Sequence, residues 1–405
     1  MTYAYDPEIT PWLEMLPNGP FADFRELRAI GEAAVRNGLP SYEPDIPITS
    51  RDVTVPGPEG APDVLVRVHT PAERDGLLPG LLFIHGGGFI MGSVDQFDAT
   101  ATRIAAEVGT VVVSVEYRLA PEHPFPAGLE DCYAALVWTA TSASELGIDP
   151  DRIGIAGESA GGGLTAAVTL LARDRGGPTL CFQYLGVPEL DDRLQTPSMR
   201  AYDDVPLWNS HATEVSWDCY LGEGRRGSTD VSPYAAPSRA EDLSGLPPAF
   251  ISACQYDPFR DEDIDYAQRL AHADVPTELA LYPGSCTEAS SPSPRWADAY
   301  SPTCSLHCAA ASAHRAVDKH PSGPLTASDG NDRAAPPLGV DLLWFHAGGT
   351  PGDDDRAPLE SLHRDQAPVT HGRGPRRCGL AARLRRGPGG RPRSAPGDRS
   401  SPPAG

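Results

Sequence analysis

The chain has 405 residues, 40% of them hydrophobic, which is enough for one large α/β domain or two ordinary ones. Its formal net charge of −22 argues against nucleic acid and anionic membrane surfaces as partners, because both require basic patches. No apolar run approaches the ~20 residues of a membrane span, and the N-terminus MTYAYDPEIT lacks the basic and apolar regions of a signal peptide. We therefore expect a cytoplasmic globular protein with reduced cysteines.

Helical and strand patterns alternate along the first 285 residues. The first 45 residues read as helices, and seven strands are predicted after them, at 65–70, 80–86, 110–118, 152–157, 180–187, 249–257 and 278–284. Helical spacing of apolar residues occurs at 99–109, 129–143, 160–174 and 261–273. Several of the strands are almost entirely apolar. Such strands, separated by helices, predict the α/β class, with a mostly parallel sheet covered by helices on both faces.

Two segments interrupt this alternation: the first 45 residues and an aromatic-rich stretch at about 188–224. Inserts at strand ends commonly build lids over a pocket. We therefore divide the chain into N-terminal cap helices (1–45), a core (46–285) that contains the cap insert, and a tail (286–405).

The motif GIAGESAGGG, at 154–163, is the strongest chemical signal in the chain. It places Gly157, Ser159 and Gly161 in the pattern G-x-S-x-G between a predicted strand and a predicted helix. A nucleophile elbow needs glycines on both sides, because the turn is tight and the strained serine must expose its hydroxyl. The N–H of Ala160, at the helix start, then lies beside the reacting carbonyl. We predict a nucleophilic Ser159; the alternative is an ordinary Gly-Ser turn.

The motif FIHGGGFIMGS, at 83–93, follows an apolar strand. Consecutive glycines let the backbone fold so that the N–H groups of Gly86 and Gly87 point at one oxyanion. We predict that these two N–H groups form an oxyanion hole, and that His85 has a structural role. The alternative is a flexible glycine turn.

The motif YDPFRDE, at 256–262, stands at the end of a predicted strand. A carboxylate at the C-terminus of a strand lies at the edge where α/β sheets place their sites. The order of Ser159 and then Asp257 along the chain also fits α/β hydrolases. We predict that Asp257 orients a histidine; an N-cap or turn aspartate is the alternative.

Five motifs together resemble the hormone-sensitive-lipase-like branch of the α/β-hydrolase fold, which includes many bacterial carboxylesterases. They are HGGG, YRLAPEHPFPA, GESAGG, SPYAAPSRAEDLSGLPP and YDPFRDE, and the resemblance covers roughly residues 1–285. It implies an α/β-hydrolase fold with a helical cap, and a serine esterase for short to medium acyl esters that needs no cofactor. The site residues that it implies are Ser159 as nucleophile, Asp257 as triad acid, and Gly86, Gly87 and Ala160 as oxyanion donors. A structural turn is implied for Arg118, Glu122 and His123.

The triad histidine is missing from its expected place. The family carries it after the last strand in the motif P-G-x-x-H-G; Pro283 and Gly284 match, but the histidine position holds Thr287. An imidazole must take the proton of Ser159 and later protonate the leaving group. We therefore expect this chain to be impaired or inactive.

A change of reading frame explains both the missing histidine and the tail. The codons of residues 286–289 are TGY, ACN, GAR and GCN, and dropping two bases regroups them as YAC, NGA and RGC, which can encode His-Gly at 287–288. The residues from Cys286 onward hold 15 of the 33 basic and 12 of the 55 acidic residues, which leaves 18 against 43 before them. They are rich in Arg, Pro, Ala, Gly and Ser and keep no period. We therefore expect a disordered, out-of-frame tail.

Other interpretations stay open. The plant gibberellin receptors have this fold but lack the triad histidine, so a non-catalytic ligand-binding protein is one alternative. An amide or lactone hydrolase is another, because it would use the same triad. The tail histidines have no predicted element to fix them near Ser159: His307, His314, His320, His346, His363 and His371. The pattern CSLHC lacks a second pair of ligands, so we assign no metal. The expected partner is a small ester, and the oligomeric state is open, a homodimer included.

Overall fold

The computed structural model describes residues 3–7, 9–13, 23–39, 42–72, 76–206 and 208–286, without the side chains of residues 11 and 12. The predicted tail, apart from Cys286, lies outside the described residues. The helices of the described part are α1 (Thr10–Leu13), α2 (Phe24–Asn37), α3 (Asp98–Val108), α4 (Ala127–Thr141), α5 (Ala143–Leu146), α6 (Ala160–Arg175), α7 (Pro197–Ala201), α8 (Ser210–Leu221) and α9 (Arg260–His272). Within it, no helix is long and apolar enough to cross a bilayer.

One mixed sheet organises the described part. Its strands are β1 (Ile48–Val55), β2 (Val64–Pro71), β3 (Leu78–Ile84), β4 (Val111–Glu116), β5 (Ile148–Glu158), β6 (Phe182–Gly186), β7 (Ala249–Cys254) and β8 (Thr277–Tyr282). They lie in the order β1-β2-β4-β3-β5-β6-β7-β8. The β1–β2 and β2–β4 pairs are antiparallel and the other five pairs are parallel. The predicted mostly parallel sheet is confirmed.

The sequence patterns missed β1. In this strand, ITSRDVTV, only Val55 is buried, so no alternation of apolar and polar residues marks it. Its eight residues pair in register with β2 at the edge of the sheet. Backbone hydrogen bonds define an edge strand of this kind, and they leave little trace in the side chains.

Helices cover both faces of the sheet, as β3 illustrates. Leu82 and Ile84 belong to a buried cluster that includes residues of α4 and α6. The alternate residue Phe83 lies in a second cluster with Ile104 of α3. Successive side chains of a strand point to opposite faces of the sheet, so the apolar residues of β3 pack alternately against the helices on the two faces. Helix α6 is buried throughout Ala160–Ala172, which makes it the central helix of the fold.

A buried ion pair connects the segment after β6 to the chain before β7. Asp192 is fully buried and accepts hydrogen bonds from Nε and a terminal nitrogen of Arg239, at 2.5 and 2.9 Å. It also accepts one from the Gly227 N–H at 2.7 Å. Three N–H donors thus stabilise the buried carboxylate of Asp192.

Replacing Arg239 by alanine should lower the free energy of unfolding by about 3–5 kcal/mol, because it strands a buried carboxylate. The control is Arg225→Ala, which removes an exposed partner 3.8 Å from Asp230 and should change stability by no more than about 0.5 kcal/mol. Urea denaturation measures both. Equal effects of the two substitutions would contradict this interpretation of the Asp192 site.

Candidate active site

Ser159 occupies a strained turn between β5 and α6. Its backbone has φ +55° and ψ −122°, a conformation that a residue other than glycine adopts only when its surroundings enforce it. The enforcing bonds are Ser159 N–H to the Gly186 carbonyl at 2.7 Å, and Gly163 and Glu189 N–H to the Ser159 carbonyl at 3.0 and 3.1 Å. The turn is therefore fixed from β6 and from α6.

The glycines of the G-x-S-x-G pattern are required by packing. A Cβ at Gly157 would lie 2.2 Å from the Gly161 carbonyl oxygen, and a Cβ at Gly161 would lie 2.1 Å from the Ile84 carbonyl oxygen. Both distances are shorter than any van der Waals contact. The pattern therefore lets α6 start directly against the end of β3, which carries the predicted oxyanion loop.

The glycine loop after β3 lies beside Ser159. A Cβ on Gly86 would be 3.4 Å from Ser159 Cβ, so the two residues are immediate neighbours. The loop then turns through Gly87, at φ +120°, whose carbonyl accepts hydrogen bonds from Ile90 and Met91 N–H at 3.0 and 2.9 Å. Ala160 is the first residue of α6, and the first N–H groups of a helix have no partner within it. Two of the predicted oxyanion donors, Gly86 and Ala160, thus lie next to the serine, and Gly87 follows Gly86 in the loop.

His85 is fully buried between aromatic rings. It stacks on Tyr117 with ring centroids 4.3 Å apart, and the Tyr117 hydroxyl donates to the His85 carbonyl at 3.0 Å. Its Nδ1 lies 2.8 Å from the Gly86 carbonyl oxygen. Burial lowers the pKa of His85 to about 4, so the ring is neutral at physiological pH. His85 thus links the start of the glycine loop to Tyr117.

Asp257 lies in the loop after β7 and is fully buried. Its Oδ1 accepts a hydrogen bond from the Phe259 N–H at 2.8 Å, which fixes the carboxylate before α9 begins. Ser159 and Asp257 follow β5 and β7, which are separated only by β6. With ~4.8 Å between neighbouring strands, two strand widths are about 10 Å, a span that an intervening imidazole can help to bridge.

The chain that leads to position 287 is held against the same edge of the sheet. Tyr256 N–H donates to the Ser285 carbonyl at 2.8 Å, and Gly284 N–H donates to the Gln255 side chain at 2.7 Å. Cys286 is buried in one cluster with Cys254. Thr287 itself lies outside the described residues. The segment before it runs beside Asp257, where the sequence pattern expects the histidine.

The predicted structural turn near Arg118 also binds helix α2. Arg118 binds the buried carboxylate of Asp131, with the closest contact at 2.7 Å. Glu122 accepts two hydrogen bonds from Arg28 of α2, at 2.8 and 2.9 Å. Arg28 also donates to the carbonyl of Ile90, in the glycine loop. No local sequence pattern predicts this contact, because 62 residues separate its partners.

A cavity of about 430 Å³ lies between α2 and the chain after the glycine loop. Met91, Gly92 and Glu116 are among its lining residues, but Ser159 and Asp257 are not. It is therefore separate from the candidate site. Among the described residues, no group of three or more His, Cys, Asp or Glu side chains is placed to hold a metal ion.

Comparison with known proteins gives consistent matches. Residues 81–288 match a family model of the alpha/beta hydrolase fold. The carboxylesterase NlhH of Mycobacterium tuberculosis is 40% identical over 282 residues, which cover 68% of this chain and 87% of the relative. An arylesterase of Saccharolobus solfataricus is 34% identical over 290 residues, covering 67% and 88%. A solved bacterial heroin esterase matches with a TM-score of 0.72 and 44% identity, over 75% of this chain and 98% of that one.

The packing of the turn predicts a large difference between two glycines of β5. Gly157→Ala should abolish soluble folded protein, because its Cβ would overlap a backbone oxygen that cannot move without shifting α6. The control is Gly154→Ala, on the same strand. Its Cβ would have no neighbour closer than the end of the Leu81 side chain, at 3.3 Å, so this variant should fold. Circular dichroism and thermal melting of both variants provide the measurement. A folded Gly157→Ala protein with a normal melting temperature would show that the turn is not tight.

Proposed function

Because the chain belongs to the α/β-hydrolase family and is similar to the carboxylesterase, the arylesterase and the heroin esterase above, we propose that it is a serine carboxylic ester hydrolase. The substrate is a small ester with a short to medium acyl chain. The observation that carries the proposal is the strained Ser159 at the start of α6, with Gly86 as its immediate neighbour.

In the proposed reaction, Ser159 Oγ attacks the ester carbonyl carbon and forms a tetrahedral intermediate. The negative charge on the former carbonyl oxygen is stabilised by the N–H groups of Gly86, Gly87 and Ala160. The C–O bond to the alcohol then breaks, and the alcohol leaves with a proton. Water hydrolyses the acyl-Ser159 ester and releases the acid. A base must take the serine proton and return it to the alcohol, and Asp257 would orient that base.

The chain as written has Thr287 at the position expected for this base, and we propose that it is impaired for that reason. Thr287 has no group that can accept and return a proton near neutral pH. Loss of a triad member leaves only about 10³–10⁴-fold acceleration over water, which comes from the oxyanion hole and binding. Binding of the ester itself does not require the histidine.

Two observations support a change of reading frame after Ser285. The family match ends at residue 288, directly after the segment with the expected Pro283-Gly284. In addition, Leu279 and Leu281 of β8 are 38% and 48% exposed, whereas the strands of the sheet centre are covered on both faces. A helix that follows the last strand, as the resemblance implies, would cover such a face.

A ligand-binding protein of the same fold is the second candidate, because such a protein would not need the base. An amide or lactone hydrolase is a variant of the first, since the same groups would attack those carbonyls. Activity measurements on matched chains separate them.

Hydrolysis of p-nitrophenyl acetate and butyrate should be slower by about 10³-fold or more in the chain as written than in a chain with the frame restored after codon 285. Thr287→His in the otherwise unchanged chain should recover part of the difference. Ser159→Ala in the restored chain is the control and should remove the gain. If the restored chain and its Ser159→Ala variant are equally inert, the ligand-binding alternative is favoured.

The nucleotide sequence of codons 280–290 tests the frame change separately. We expect one missing base near codons 285 and 286, in a region that otherwise reads His-Gly at 287–288. An uninterrupted frame with TGY and ACN codons at 286 and 287 would refute the frame change, whatever the activity of the protein.

A further inference from the structure

Three separate parts of the described structure meet at the hydroxyl of Ser216. This residue is fully buried on α8, in the segment predicted as the cap insert. Its Oγ lies 3.0 Å from the Gly88 carbonyl oxygen and 2.8 Å from Glu189 Oε1. Gly88 belongs to the glycine loop, and Glu189 lies in the loop after β6. One side chain thus connects the cap to both halves of the candidate site.

Glu189 is itself tied to the nucleophile. It is fully buried, and its N–H donates to the Ser159 carbonyl at 3.1 Å. A Cβ on Gly163 of α6 would lie 2.2 Å from the Glu189 carbonyl oxygen, so its main chain is packed directly on the helix that follows the serine. The proposed catalytic steps make no use of its carboxyl group.

Counting hydrogens shows what the two contacts of Ser216 require. A serine hydroxyl has one hydrogen to donate, and a backbone carbonyl can only accept. If Ser216 donates to Gly88, its contact with Glu189 Oε1 is a hydrogen bond only when Glu189 carries a proton and donates it. If Glu189 is ionised, Ser216 must donate to the carboxylate, and the Gly88 carbonyl loses its partner. Both bonds exist together only with a protonated Glu189.

We infer that protonated Glu189 donates to Ser216, that Ser216 donates to Gly88, and that these two residues position the oxyanion loop. They do not touch the reacting atoms and act through the backbone of the loop. The inference rests on the proposed function, because it assigns them to the oxyanion hole of that reaction. It makes the cap a part of the catalytic geometry.

The surroundings of Glu189 favour the protonated form. Burial is the largest cause that raises the pKa of Glu189 to about 8; the negative charge of Asp257 raises it further, and the Ser216 hydrogen bond lowers it. Glu262 of α9 and the hydroxyls of Tyr117 and Tyr220 also interact with it electrostatically. None of these groups is a cation. Glu189 Oε2 has no hydrogen-bond partner in the described part of the chain, which a neutral carbonyl tolerates better than a carboxylate does.

The hydrogen bond from Ser216 to Gly88 also restrains the neighbouring residues of the glycine loop. Trp208 packs on Gly88 so closely that a Cβ there would lie 2.0 Å from the indole ring. The next residue, Phe89, stacks on Tyr220 of α8 with ring centroids 4.1 Å apart. The Gly87 carbonyl, one residue earlier, closes the turn with Ile90 and Met91. The orientation of the predicted donor N–H groups is therefore coupled to α8 through one hydroxyl.

The inference predicts a pH effect. The folded-state pKa of Glu189 is raised from its usual 4.5 to about 8. The protonated arrangement is therefore present below about pH 8 and is lost as the pH rises through this value. Ionisation draws the Ser216 hydrogen away from Gly88 and loosens the loop. The Glu189→Gln variant cannot ionise and still offers N–H donors to Ser216.

Amide hydrogen exchange in the full-length chain tests the positioning without any need for activity. The amides to follow are those of Ile90 and Met91, which bond to the Gly87 carbonyl, and of Ala120, which bonds to the Phe89 carbonyl at 2.9 Å. Ser216→Ala and Glu189→Ala should each lower their protection about 10-fold, the factor that corresponds to the loss of one buried hydrogen bond. Between pH 7 and 9 the unsubstituted chain should lose protection relative to Glu189→Gln. Unchanged protection in Ser216→Ala would overturn the inference.

The control variant is Thr139→Val, which removes another buried hydroxyl that bonds to the Ala135 carbonyl of α4 at 2.8 Å. It should leave the exchange of all three amides unchanged. If it loosens them as much as Ser216→Ala does, the effect is general destabilisation and the inference is wrong.

Kinetics in the frame-restored chain then test the link to catalysis. Ser216→Ala and Glu189→Ala should lower kcat for p-nitrophenyl butyrate about 10- to 100-fold with little change in KM, because a displaced oxyanion donor acts on the transition state. The fall of kcat above pH 8 should disappear in Glu189→Gln. A normal kcat in Ser216→Ala, despite lost protection, would overturn the catalytic role. If the restored chain is inert, the proposed function fails, while the exchange result still decides whether the two residues hold the loop.

Discussion

The strained turn at Ser159 constrains almost everything else at this edge of the sheet. A serine at φ +55° is stable only because β6, α6 and the loop after β6 all bond to its backbone. The same turn demands glycine on both sides, because the start of α6 packs on the carbonyl oxygens at the end of β3. This close approach brings the glycine loop next to Ser159, with 3.4 Å between a Cβ built on Gly86 and Ser159 Cβ. The positions of the predicted nucleophile and of the predicted oxyanion loop thus follow from one packing arrangement.

The segments predicted to form a cap are the second support of the site. Trp208, Ser216 and Tyr220 contact the glycine loop from the insert after β6. Arg28 of α2 reaches the same loop and the turn at Glu122. A glycine-rich loop has little rigidity of its own. Its conformation must therefore come from what packs on it, and most of those contacts come from distant parts of the chain.

The contrast between local patterns and contacts from distant parts of the chain explains what could be predicted from the sequence. The seven predicted strands and four core helices carry strong periods, and the elbow and glycine loop carry local patterns, so they were found. The edge strand β1 has only one buried residue and was missed. Arg28, Glu189 and Ser216 were missed because their partners lie 62, 27 and 128 residues away and no local motif records such contacts. The absence of a histidine at position 287, in contrast, is visible only in the sequence, since Thr287 lies outside the described residues.

In the proposed mechanism, Ser159 is a nucleophile whose reactivity depends on the residue at position 287. Covalent labelling with phenylmethylsulfonyl fluoride, followed by peptide mass spectrometry, measures this reactivity. We expect stoichiometric sulfonylation of the peptide that contains Ser159 in the frame-restored chain, and a rate lower by about 10³-fold or more in the chain as written. Labelling at another residue, or equal rates in the two chains, would contradict this mechanism.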